Sequence, residues 1–317
     1  MIKIGTDIKY AKTQLDDGGL VAIPTETVYG LGGNALNSKT IEKIFSLKNR
    51  PNNDPLICHT YSIDQVEKYV KNIPKTAYKL AEKFWPGPLT LIFEKENIIP
   101  DITTANLSTV GFRIPKKKIT LDLLMNLEYP IAAPSANKFG YISPTKTDHI
   151  LNNFNSGINY ILDGGNCELG IESTIIGFKK DKTIIYRLGS LIYEDVMQCI
   201  GEIKIYSDSD VYPGSFINHY APDKKLYVGD IETLYHKFKD KRIGILCYDR
   251  YYDYISKENQ IILSKNSSLN EASRNLYSSL YKFDNMKSID IIITSFFIDK
   301  MMGKTMNNRL KKSSEKE

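Results

Sequence analysis

Residues 20–59 decide the fold: they read L-V-A-I-P-T-E-T-V-Y-G-L-G-G, then a short helical stretch, then S-L-K-N-R-P-N-N-D-P-L-I-C-H. The apolar run 20–23 suits a buried strand, and the Gly18-Gly19 pair before it supplies a turn. A polar loop, residues 24–27, follows at once. Gly30, Gly32 and Gly33 then permit positive φ and a close approach of backbone to ligand, because no Cβ stands in the way. A site is expected here.

Ser38 is placed to cap the helix that follows, with Ile41, Ile44 and Phe45 on one face and Pro51 ending it. Lys48 and Arg50 therefore stand where helix gives way to loop. Two readings of the pair are open. A guanidinium fork and a mobile ammonium beside a glycine-rich turn suit an anionic ligand; basic residues also gather at helix C-termini, where they offset the helix dipole.

Working outward, the chain has 317 residues, enough for two domains, and 42% hydrophobic with 25% charged residues is the make-up of a soluble globular protein. Cys58, Cys167, Cys199 and Cys247 are scattered singly, with no C-x-x-C pair and no histidine cluster for zinc, so reduced and mostly buried thiols are expected. The N-terminus lacks the layout of a signal peptide and no apolar run is long enough to span a bilayer, which predicts a cytoplasmic protein without a membrane partner. Net charge is +5, with short basic clusters at Lys116-Lys117-Lys118 and Lys311-Lys312. That excess is too thinly spread to indicate a dedicated nucleic-acid binder.

Along the chain, residues 7–17 predict an amphipathic helix, residues 55–60 a second apolar run that delivers His59, and residues 62–70 and 76–84 two further helices. Trp85-Pro86-Gly87-Pro88 stops the second of these before a strand at 89–93. Residues 108–115 form a strand-like run with Arg113 between Phe112 and Ile114, and a buried guanidinium requires an anionic partner, either a structural carboxylate or a ligand. Another strand, 130–133, runs into Pro134-Ser135-Ala136-Asn137 and then Ser143-Pro144-Thr145, whose hydroxyls and amide can bind oxyanions or make turns. Asp163-Gly164-Gly165 closes a strand, residues 170–176 read as the next, and Tyr186-Arg187-Leu188-Gly189 follows. After residue 222, apolar strands alternate with helices, the pattern of a small parallel α/β domain.

Taken in order, P-T-E-T-V-Y-G-L, K-N-R-P, P-L-I-C-H, W-P-G-P, V-G-F-R-I-P, S-A-N, S-T-I and R-L-G resemble the YrdC-type threonylcarbamoyl-AMP synthases in their long, two-domain form. The resemblance covers nearly the whole chain and is densest in the first 190 residues. It implies a YrdC-like twisted mixed sheet with flanking helices, plus a smaller C-terminal Rossmann-like parallel α/β domain. The implied division is 1–200 for the catalytic domain, 201–222 for a linker that acts as a lid, and 223–317 for the second domain. The implied activity is an ATP-dependent nucleotidyltransferase making threonylcarbamoyl-AMP and pyrophosphate from L-threonine, bicarbonate and ATP. The product would go to a downstream threonylcarbamoyl-transfer enzyme acting on tRNA, with only indirect tRNA contact by this chain.

By the same resemblance Lys48 and Arg50 are the catalytic cations. Arg50, Asp54, Thr109, Ser135, Asn137, Ser143, Arg187 and Ala221 would bind ATP, whose triphosphate would carry Mg2+. Thr27, His59, Arg113, Ala133 and Ser173 would hold threonine. Asp54 departs from the asparagine usual at its place, and a carboxylate there repels a triphosphate unless it holds metal or faces away. Two alternatives share the fold: a carbamoyl-transfer domain of hydrogenase-maturation type, which is normally accompanied by zinc-finger cysteines absent here, and a non-catalytic RNA-binding module. Gly30-x-Gly32 is no dinucleotide fingerprint, since Ala35 stands at the third glycine, and Gly303-Lys304-Thr305 lacks the first glycine of a phosphate loop.

Overall fold

Asp7 caps the first helix, α1 (Ile8–Asp16), by accepting a hydrogen bond from the Tyr10 amide at 3.0 Å, and Ala11 and Leu15 are buried as their spacing requires. The computed structural model describes residues 2–179, 182–206 and 220–315. Gly18, at φ +70°, then turns the chain into the first apolar strand, as the glycine pair predicts.

The strands of the larger sheet are β1 (Lys3–Gly5), β2 (Val21–Ile23), β3 (Gly30–Asn34), β4 (Ile57–His59), β5 (Val70–Lys71), β6 (Leu89–Lys95), β7 (Thr109–Arg113), β8 (Ile131–Ala132), β9 (Tyr160–Leu162), β10 (Thr174–Lys179), β11 (Lys182–Arg187) and β12 (Lys204–Ile205). They run in the spatial order β1-β9-β2-β3-β8-β4-β7-β6-β10-β11-β12, with β5 paired to β6. Pairing is mixed: β4 is parallel to β7, whereas β7 is antiparallel to β6.

Gly30, Gly32 and Gly33 lie inside β3, and none has positive φ, which corrects the expectation of a glycine-rich ligand loop. Their value is clearance for packing. A Cβ on Gly32 would stand 2.8 Å from Ile131 Cγ2, and one on Gly33 would stand 2.6 Å from Thr40 Cγ2. The next helix, α2 (Ser38–Lys48), is capped by Asn37, one residue before the expected cap, because the Asn37 side chain accepts from both the Lys39 and Thr40 amides. It ends at Asn49, in the left-handed region at φ 53°, rather than at Pro51.

Two packed layers follow from alternation along the strands. One face buries Cys58, Leu91, Phe93, Val110 and Phe112 against α2 and the helix α3 (Lys75–Phe84), in a cluster with Ile41, Ile44, Ala77 and Leu80. On the β2–β8 part of the other face, Val21, Ile23 and Ile131 pack with α1 and with Leu123 and Leu124 of the helix α4 (Lys118–Met125). Farther along that second face the same alternation presents Thr109, Gly111 and Arg113 of β7 together with Thr90 of β6, and a Cβ on Gly111 would touch Thr90 at 3.3 Å. Thr90, Thr109 and Arg113 give this part of the face polar side chains.

Among the described residues the chain forms two units. The first comprises 2–139, 144–168, 172–179 and 182–206; the second comprises 140–143, 169–171 and 220–315. The boundary thus differs from a simple cut: short segments from the first 200 residues join the second unit, where Tyr281 OH donates to the Ile142 carbonyl at 2.8 Å. That unit has a four-stranded parallel sheet of the segments Lys225–Val228, Ile291–Thr294, Ile243–Cys247 and Gln260–Ile262 in that spatial order. The Rossmann-like expectation holds, and Gly303-Lys304-Thr305 is helical, within Met302–Ser313. The expected linker and lid lie outside the described residues from 207 to 219. Beyond them Tyr220 is buried in the second unit, stacked on Tyr277 and facing the Arg309 guanidinium. Among the described residues no helix is long and apolar enough to cross a membrane.

Candidate active site

At the C-terminal end of β7, Arg113 is 4% exposed and is held on three sides. Its Nε donates to the Gly87 carbonyl at 3.2 Å, Nη1 to Thr27 Oγ1 at 2.8 Å, and Nη2 to Glu26 Oε1 at 2.5 Å. Glu26 is fixed in turn, because its Oε2 accepts from the Lys116 amide at 2.8 Å. Of the two partners left open for Arg113, the structural carboxylate is therefore present. A guanidinium has five N–H groups, so two remain for a ligand carboxylate. Neither Glu26 nor Gly87 was legible as part of a site: the first sits in a quoted motif with no assigned role, and the second stands in W-P-G-P, which reads as punctuation.

His59 is the register partner of Arg113 in the neighbouring strand and is 4% exposed. Its Nδ1 is buried without a hydrogen-bond partner, which costs about 1–3 kcal/mol unless a ligand fills the gap. Burial, aided by the Arg113 charge, pushes the imidazole down to about 3, against weaker upward pulls from the Ile57 and Ile131 backbone. The ring is neutral at physiological pH.

His149, in the helix Thr147–Asn153, is likewise pushed down to about 3, by burial first and by Lys146 second. Both folded-state values lie below the ordinary 6.5, so the unfolded chain binds more protons than the folded one between those limits. Their contribution to stability is full above pH 6.5 and declines as pH falls toward 3. Thermal melts of the protein should drop between pH 6.5 and 5, and His149→Gln should flatten that slope; parallel curves for both proteins would contradict it.

Ser173 precedes β10 and sits beside the start of β6, since the Thr174 amide donates to the Pro88 carbonyl. Arg187 donates to the Ser173 carbonyl from Nε at 3.0 Å and from Nη2 at 2.9 Å, and Nη2 also reaches Ser173 Oγ at 3.0 Å. The resemblance gives Arg187 to ATP; the structure engages its guanidinium with the serine assigned to threonine. The cause is register, because Arg187 pairs with Ile175 at the end of the hairpin that Ser173 enters. Gly189 passes so close that a Cβ there would lie 2.3 Å from the Ser173 carbonyl carbon.

At the opposite end of β4 stand the residues expected on phosphate. Lys48 is 1% exposed, with Nζ donating to the Ser135 carbonyl at 2.6 Å and to the Asn137 carbonyl. Burial first, then the Arg50 charge, hold its ammonium well below the usual lysine range. Lys48 thus braces the loop that carries Ser135 and Asn137, where the sequence suggested a mobile cation. Arg50 Nη2 pairs with Asp54 Oδ2 at 2.8 Å, and the guanidinium also donates to the Asp54 and Pro55 carbonyls at 3.1 and 2.9 Å. Asp54 therefore faces the arginine.

Ala133 donates its amide to the Ile57 carbonyl at 3.0 Å, joining β8 to β4. Thr109 lines a groove of about 860 Å³ with Ser108, Glu94, Lys182 and Tyr186. Ser143, fully buried, and Ala221, whose amide donates to the Gly140 carbonyl at 2.9 Å, belong to the second unit. Cys58, Cys167 and Cys247 are buried free thiols and Cys199 is partly buried, as expected. No group of three histidine, cysteine or carboxylate side chains that could hold a metal occurs among the described residues.

The family described as Telomere recombination matches residues 13–189, and the one described as Threonylcarbamoyl-AMP synthase, C-terminal domain, matches residues 191–314. The chain belongs to the threonylcarbamoyl-AMP synthase family. The threonylcarbamoyl-AMP synthase of Pyrococcus abyssi is 37% identical over 97% of this chain and 94% of its own length; that of Bacillus subtilis is 35% identical over 97% and 92%. The crystal structure of Pyrococcus abyssi Sua5 with L-threonine superposes with a TM-score of 0.91 at 36% identity, covering 99% of this chain and 97% of that one. Full-length HypF shares the fold alone, at 20% identity and a TM-score of 0.52 over 57% of this chain and 29% of its own.

Proposed function

We propose that this chain makes threonylcarbamoyl-AMP from L-threonine, bicarbonate and ATP, releasing pyrophosphate, and passes the product to an enzyme that transfers threonylcarbamoyl to tRNA. The observation that carries the reading is the pairing of Arg113 with His59 in adjacent strands. The arginine has two N–H groups left for an α-carboxylate, and the neutral imidazole with its unpartnered Nδ1 lies beside it for the amino group. Thr27 and Ser173 complete the amino-acid end. Arg50, Ser135 and Asn137 serve the nucleotide end, with Lys48 holding their loop in shape.

The chemistry asks for placement rather than a protein nucleophile. Threonine's amine and bicarbonate give a carbamate with loss of water, a carbamate oxygen attacks the α-phosphorus, and the bond to pyrophosphate breaks as it leaves. Buried donors already oriented in the free protein lower the cost of assembling three substrates and of stabilising charge as that bond forms. A Mg2+ ion carried on the triphosphate would neutralise charge on its oxygens, and Asp54, the carboxylate paired with Arg50, would be the residue shared with it.

Incubation with ATP, labelled bicarbonate and a panel of amino acids should give an acyl-adenylate with the mass of the threonine product, together with pyrophosphate. ATP turnover separates this reading from a passive RNA-binding module, and the adenylate separates it from carbamoyl transfer. Absence of an adenylate with any amino acid would sink the reading.

A further inference from the structure

Thr90 lies in the middle of the polar sheet face, fully buried, and is assigned to no substrate. Its hydroxyl is 2.7 Å from Ser173 Oγ, a contact across 83 residues of sequence. Ser173 Oγ also receives the Arg187 Nη2 bond at 3.0 Å. We propose that Thr90 is a positioning residue: it donates to Ser173 Oγ, so that threonine and arginine together fill the two acceptor sites of that oxygen and leave its own O–H to donate to the amino-acid substrate.

A serine hydroxyl carries one hydrogen and accepts twice. Ser173 is the hydrogen-bond partner of the Thr90 hydroxyl, and a buried O–H without an acceptor costs about 1–3 kcal/mol, so the threonine hydrogen goes to Ser173. With one acceptor site taken by a cationic donor and the other by Thr90, the serine hydrogen has neither neighbour to turn to. It is directed at whatever oxygen or nitrogen acceptor occupies the site. Donation by a charged group also polarises the hydroxyl and strengthens it as a donor. Gly111 makes the arrangement possible, since a side chain there would press on Thr90 Cγ2 at 3.3 Å. Thr90 acts through Ser173 and needs no contact with substrate.

This inference rests on the reading that Ser173 meets the amino acid, and a double-mutant cycle separates the two. Steady-state rates would be measured with threonine and with ATP varied, for Thr90→Val, Thr90→Ser, Ser173→Ala and Thr90→Val/Ser173→Ala. Thr90→Val should raise the KM for threonine about tenfold and leave the KM for ATP unchanged. Thr90→Ser keeps the hydroxyl and should restore the threonine KM. In the Ser173→Ala background, Thr90→Val should have no further effect, because the donor it positions is gone. Equal penalties from Thr90→Val with and without Ser173, or a parallel rise in both KM values, would make Thr90 a packing residue and overturn the proposal. If Ser173→Ala alone leaves the threonine KM unchanged, the placement of the amino acid at Ser173 fails and the inference falls with it.

Discussion

Glu26→Ala should lower the stability of the protein by about 3–5 kcal/mol, the usual cost of stranding one partner of a buried ion pair. Glu26 is 2% exposed and Arg113 4%, so water cannot replace the lost carboxylate. The Lys116 amide loses its acceptor at the same time. Denaturant melts measure the effect, and a loss below about 1 kcal/mol, the level of a surface pair, would show that the guanidinium has another outlet. Replacing both members together, as Glu26→Leu with Arg113→Met, should recover much of the stability, since a buried ion pair is rarely better than an apolar pair of similar volume. That protein should be folded and unable to use threonine. The pair is retained for binding, on this view, at little net gain to the fold.

Arg50→Ala should reduce kcat/KM for ATP by roughly 30-fold to nearly a thousandfold, the equivalent of about 2–4 kcal/mol of transition-state stabilisation lost with one charge-assisted contact to the transferring phosphoryl group. Pyrophosphate release gives the rate, and circular dichroism checks that the variant remains folded. Arg50 is held by Asp54 and two loop carbonyls before any nucleotide arrives, so its fork is oriented in advance. Near-normal pyrophosphate release from folded Arg50→Ala would assign the arginine to the loop alone.

Much of this was legible in the chain because it depends on short-range pattern. The strand at Val21–Ile23, the helix Ile8–Asp16 and the turn at Gly18 follow from apolar spacing and a glycine placed where positive φ is needed. The motif residues at Thr27, His59, Arg113 and Ser173 were legible through the family resemblance. What could not be read is which of their neighbours hold them. Glu26 reaches Arg113 across 87 residues, Thr90 reaches Ser173 across 83, and Lys48 reaches Asn137 across 89. No local periodicity encodes such pairs; strand order and register create them. The glycines at 30, 32 and 33 show the converse, where a pattern that looks like a ligand loop serves close packing of β3 against Ile131 and Thr40.

The mixed order of the larger sheet also bears on how the chain reaches its native state. In the proposed function the amino-acid end draws on residues 26, 27, 59, 87, 90, 113, 173 and 187, and three of the bonds that join them, Thr90 to Ser173, Arg113 to Thr27 and Arg113 to Glu26, close loops of more than 80 residues. Such contacts cost more closure entropy than those within local helices and hairpins, and topologies rich in them fold slowly. A growing polypeptide would therefore lack the proposed binding end until residue 187 has been made and the β10–β11 hairpin has docked beside β6. On the proposed function, threonine would stabilise the finished sheet by mass action and would have nothing to grip on a chain still being synthesised.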